Sequence, residues 1–109
     1  MKYLEVIVLR LTSLTVKKKV MSYLMNIGKT HSPLGMEAIR FYRNARVETD
    51  LCIHIHWDSQ SEKPHKSVLG IQIYDFLRDI GPVNHSIWIS EEDDEKELSE
   101  GCAESRSNL

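Results

Sequence analysis

The chain has 109 residues, 41% of them hydrophobic and 28% charged, with a net charge of −2, which is enough for one small domain with a single core and little to spare. Fourteen Lys and Arg are balanced by sixteen Asp and Glu, and without a clustered basic stripe this argues against a nucleic-acid partner. The longest apolar run near the N-terminus, Val6 to Leu9, is far too short for a signal segment or a membrane span, so no membrane association is expected.

Residues 3 to 12 are rich in branched side chains and almost continuously apolar, which predicts a strand covered on both faces. Ser13 or Thr15 can cap a helix in which Val16, Val20, Tyr23, Leu24 and Ile27 fall on one side, with Gly28 and Lys29 as its stop. Lys17, Lys18 and Lys19 read as a solvated helix face, because nothing nearby resembles a phosphate loop. Thr30 to Gly35 contains Ser32-Pro33 and Gly35 and reads as a loop.

Met36 to Arg43 is extended again, with Ile39 and Phe41 on one face and Ala38, Arg40 and Tyr42 on the other. A polar connection, Asn44 to Asp50, leads into Leu51 to Trp57, the stretch with the sharpest pattern. Its strict alternation sends Leu51, Ile53, Ile55 and Trp57 to one side and Cys52, His54 and His56 to the other. Asp58 to Lys66 is a polar loop with Pro64, either a lid or a connector. Ser67 can then cap a second helix carrying Leu69, Ile73, Phe76, Leu77 and Ile80 on one side and ended by Gly81-Pro82. The two helices share one apolar spacing, each after a strand, as in a duplicated strand–helix unit.

Val83 to Ser90 predicts a last strand, with Val83, His85, Ile87 and Ile89 on one face and Asn84, Ser86, Trp88 and Ser90 on the other. Residues 91 to 109 hold eight acids and two bases and almost no large apolar group, so they cannot offset their ordering entropy and are expected to form a disordered acidic tail. The expected organisation is a folded domain over residues 1 to 90 and a tail over 91 to 109. Cys52 and Cys102 show no disulfide or metal spacing, and a reducing cytoplasm is the expected setting.

The order strand–helix–strand–strand–helix–strand predicts an α+β, ferredoxin-like βαββαβ domain, a four-stranded antiparallel sheet with two helices on one face. The other sheet face gathers Tyr42, Cys52 and Trp88, too apolar to stand open to water, so a homodimer packed through it is expected. In element order, lengths and the Trp57 that ends the third strand before a polar loop and an amphipathic helix, residues 3 to 90 resemble the dimeric α/β-barrel superfamily, and within it the antibiotic-biosynthesis-monooxygenase-like proteins. That superfamily includes cofactor-independent oxygenases acting on quinol-like aromatics, haem-degrading enzymes, stress-response proteins and ligand-binding modules. The haem-degrading members carry an Asn early in the first strand and a His on the second helix, and this sequence has neither. The resemblance implies a cofactor-independent monooxygenase-like protein that acts on or binds a small aromatic, quinol-like ligand. A non-catalytic ligand-binding or structural dimeric module is the alternative.

Three histidines are the candidate catalytic groups, since imidazole suits proton abstraction from a phenol near neutral pH. His85 stands among Val83, Ile87 and Ile89 on the helix-facing side, where an apolar cavity would match the family's pocket. His54 and His56 lie about 6.5–7 Å apart along their strand, a spacing that can suit a metal, but no third ligand is identifiable and no metal or cofactor is assigned. Trp57 and Trp88 are candidate aromatic walls. Arg40 and Tyr42 are candidate ligand-orienting groups, with Arg40 alternatively an ion-pair partner of Glu5 or Asp58.

Overall fold

Alternation decides the sheet. In the computed structural model, which describes residues 1–60 and 63–92, Leu51, Ile53, Ile55 and Trp57 are buried and the intervening Cys52, His54 and His56 are half-buried. The same period runs through the N-terminal strand, where Tyr3, Glu5, Ile7 and Leu9 are buried. The elements follow in the order β1 (Lys2–Arg10), α1 (Lys17–Thr30), β2 (Met36–Arg43), β3 (Asp50–Asp58), α2 (Val68–Leu77) and β4 (Val83–Ile89), with a 3-10 turn, Leu14–Val16, leading into α1. Antiparallel pairing in the order β2-β3-β1-β4 makes the four-stranded ferredoxin-like sheet, with β1 and β3 central. The expected tail lies, from residue 93 onward, outside the described residues.

Both helices lay their apolar stripes on one sheet face. Val20, Leu24 and Ile27 of α1 and Leu69, Ile73 and Leu77 of α2 form one buried cluster with Ile7, Leu9, Ile53 and Ile55, so the main driving force is apolar burial between sheet and helices. The Tyr23 and Phe76 rings stack at 3.8 Å between centroids and join the two helices.

α1 runs past its expected stop, through Gly28 and Lys29 to Thr30. Gly28 is a packing residue, since a Cβ there would stand 3.2 Å from the edge of the Phe41 ring. The turn that follows puts Gly35 at φ 91° with the Met36 amide bonded to the Pro33 carbonyl at 3.1 Å, a conformation that favours glycine.

Candidate functional site

Glu5 is an acid at a core-facing position of a central strand, and a buried carboxylate is tolerable only if its oxygens are fully paired. Its side chain is completely enclosed, yet it accepts hydrogen bonds from three different elements. The Trp57 indole N–H donates to Oε1 at 2.9 Å, and the Ser67 hydroxyl donates to the same oxygen at 2.7 Å. The Ser67 backbone N–H reaches Oε2 at 3.0 Å, and His85 Nε2 lies 2.6 Å from Oε2. Ser67 also caps α2, its Oγ accepting from the Gly70 amide at 2.8 Å, as its sequence position predicts. The carboxylate thus fixes the end of β3, the start of α2 and the middle of β4 relative to β1.

The two side chains held by Glu5 at one end of this network, Trp57 and Ser67, line a cavity of about 610 Å³. It opens where the end of β3, the turn after α1 and the first turn of α2 meet. Trp57 and Tyr3 form its aromatic wall, their rings stacked at 6.3 Å with 18° between planes. Pro33, Leu34, Val68 and Leu69 add apolar surface, and His31, Asp58, His65 and Gln72 supply polar groups. Among the described residues, no Lys or Arg lines it.

The structure separates the candidates chosen from sequence. Trp57 lines the main cavity. His85 is on the helix-facing side, but its Nε2 is committed to Glu5, its ring stacks on Tyr74 at 5.8 Å, and it borders a shallow groove with Lys66 and Asp75 instead. His54 and His56 face the helix-free side of the sheet, their ring centroids 6.2 Å apart. His54 lies 4.8 Å from the Tyr42 ring, and its pKa is pushed down by burial and by the neighbouring His56. His56 joins Trp88 in a cleft of about 310 Å³, and its Nε2 is buried without a hydrogen-bond partner among the described residues. Arg40 is exposed opposite His54, on the sheet face away from Glu5, so the two form no ion pair; the basic partner of Glu5 is His85. Among the described residues no group of three or more His, Cys, Asp or Glu is placed to hold a metal.

Sequence reasoning missed Glu5, Ser67 as its partner, and His31. A signal for Glu5 was present, because its parity with Tyr3, Ile7 and Leu9 puts a charge in the core and demands partners there. His31 carried no such signal, standing in what reads as a loop.

No protein-family model and no curated sequence matches the chain. Its fold does match solved structures. The Mycobacterium tuberculosis protein Rv0793 superimposes with a TM-score of 0.64 at 12% identity, covering 85% of this chain and 98% of that one. A Nitrosomonas europaea protein classed with the antibiotic biosynthesis monooxygenases gives 0.62 at 10% identity, covering 83% and 90%. A variant of SnoaB, a cofactor-independent oxygenase from Streptomyces nogalater, gives 0.59 at 9% identity, covering 84% and 95%. The chain therefore has the ferredoxin-like α+β fold of these structures.

Proposed function

We propose that this protein binds a small, uncharged aromatic molecule of the phenol or quinol type in the cavity beside Trp57 and oxygenates it without a cofactor. The observation that carries this reading is the cavity itself. Its volume of about 610 Å³ suits a molecule of two or three fused rings, within the range of about 300–1,000 Å³ common to such sites. The stacked Trp57 and Tyr3 rings offer a flat apolar wall, and the lack of a lining Lys or Arg among the described residues disfavours phosphorylated or multiply anionic ligands. The names of two structural neighbours, a monooxygenase and a cofactor-independent oxygenase, support the same chemistry. In that chemistry a base removes a proton from the substrate and the resulting carbanion forms a carbon–oxygen bond to dioxygen. The peroxide anion is then protonated and loses water, leaving a carbonyl.

The test uses 2-naphthol and 1,4-dihydroxynaphthalene with the full chain. In protein-observed NMR the indole N–H of Trp57 should shift on titration of either compound while that of Trp88 stays put. A shift confined to Trp88 would move the site to the other sheet face and overturn the assignment. Oxygen consumption with the dihydroxynaphthalene, above its autoxidation rate, separates turnover from binding alone.

The helix-free sheet face carries the second part of the proposal, a symmetric homodimer. Val8, Tyr42 and Trp88 are 40%, 46% and 60% exposed there, and the buried His56 Nε2, without a hydrogen-bond partner among the described residues, lies on the same side. A second copy packed on this face would bury the patch and offer His56 a partner. Light scattering at micromolar concentration should give twice the chain mass, and Trp88→Glu should halve it; a monomeric parent protein would end this reading. Among the described residues no helix is long and apolar enough to cross a membrane, and the unpaired Cys52 suits a reducing cytoplasm.

A further inference from the structure

His31 immediately follows the last residue of α1, and its ring borders the cavity. Its Nδ1 lies 3.2 Å from the Ile27 carbonyl oxygen and 2.9 Å from Thr30 Oγ1. The carbonyl can only accept, and the Thr30 hydroxyl already donates to the Asn26 carbonyl at 2.9 Å, so both contacts require the hydrogen to be on Nδ1. A neutral imidazole with its hydrogen on Nδ1 has its lone pair on Nε2. Among the described residues no group bonds that nitrogen. The ring is also anchored through its backbone, since the His31 amide donates to the same Ile27 carbonyl at 3.1 Å.

We infer that His31 is the catalytic base of the cavity, accepting at Nε2 the proton of a phenolic hydroxyl stacked against Trp57. This deepens the function proposed above and rests on it. The phenol O–H bond breaks and its electron pair stays on oxygen, while an N–H bond forms on the ring, leaving phenolate beside imidazolium. The positive charge so created sits at the negative end of the α1 dipole, where a cation is stabilised. After dioxygen has added, the same proton is available to the peroxide anion, so the base is regenerated within one turnover.

The other histidines are placed less well. His54 and His56 face the far side of the sheet, and His85 Nε2 is occupied by Glu5. His65 also lines the cavity with its Nδ1 on a carbonyl, that of Lys63, at 2.8 Å, but it lies exposed in the loop before α2, its ring tilted 41° against Tyr3. Asp58 is engaged elsewhere, its Oδ1 3.7 Å from the N-terminal ammonium.

The experiment uses 4-nitrophenol, whose absorbance reports its own ionisation, with the full chain and the His31→Gln and His65→Gln variants. Binding is followed by the Trp57 indole shift. Bound to the parent protein, the probe should ionise about one pH unit or more below its free midpoint, because an imidazolium stands beside the phenolate. His31→Gln should lose that displacement at probe concentrations where the Trp57 shift still reports binding, whereas His65→Gln should keep it. An undisplaced midpoint in the parent, a displacement that survives His31→Gln, or one lost only in His65→Gln would each overturn the assignment of His31. A probe that leaves Trp57 unshifted would instead bring down the cavity reading, and the base with it. If His31→Gln does not fold, nitrogen-15 spectra of the parent decide the matter, because the hydrogen must be found on Nδ1 in the free protein and on both nitrogens in the complex.

Discussion

Replacing Glu5 by Leu should cost about 3–5 kcal/mol of folding stability, the usual price of removing one partner from a buried charged network. The change leaves the Trp57 indole, the Ser67 hydroxyl and amide, and His85 Nε2 facing an apolar group in a space closed to water. Against a total stability of about 5–15 kcal/mol for a domain of this kind, such a loss brings the chain close to unfolding. Glu5→Gln should be milder, about 1–3 kcal/mol, because its oxygen can still serve Trp57 and the Ser67 hydroxyl while its NH₂ group confronts the Ser67 amide, donor against donor. Thermal unfolding followed by circular dichroism checks both, at roughly 4–8 °C per kcal/mol for a domain of this size. A Leu variant that melts with the parent protein would show that the network adds nothing to the fold.

Gly70→Ala pits two effects of opposite sign against each other. Helix propensity favours Ala by about 1 kcal/mol in a helix interior. At this position, however, a Cβ would overlap the Glu5 carboxylate and come within 3.0 Å of His85 Nε2. The carboxylate cannot move aside without breaking bonds to Trp57, Ser67 and His85, so the steric term wins. The expected outcome is a net loss of about 1–3 kcal/mol, as for overpacked cores, read as a lower urea midpoint with the slope of the transition unchanged. A gain in stability would mean that the carboxylate has room the structure does not show.

Much of the fold is written in short-range pattern. The alternation of Leu51 to Trp57 names both faces of β3, and Ser67 announces the start of α2, as the structure finds. Each of those signals is complete within a few residues, so nothing distant can reverse it. The end of α1 was less legible, because Gly28 looks like a stop and its true reason, the nearby Phe41 ring, belongs to another element. The Glu5 network was less legible still, since no local pattern says which donors will surround a carboxylate. Arg40 shows the same difficulty: the correct face could be read from its strand, but its suggested partner could not. His31 depends on α1 running on to Thr30, and only then do the Ile27 and Thr30 oxygens come within reach of its ring.

The place of β1 at the middle of the sheet has a consequence for the order in which a ribosome delivers the parts. β1 emerges before both of its neighbours, β3 and β4, and Glu5 meets Trp57, Ser67 and His85 across 52, 62 and 80 residues of sequence. Neither ladder of β1 can close until its partner strand has been synthesised, so one edge of β1 waits for β3 and the other for β4, by which point nearly the whole described domain is made. Contacts of such long range are slow to form, because loop-closure entropy is lost before they are gained. The residue that ties the finished molecule together is therefore translated well before any of the groups it binds, which leaves the nascent β1 in need of shelter from its own neighbours on a polysome.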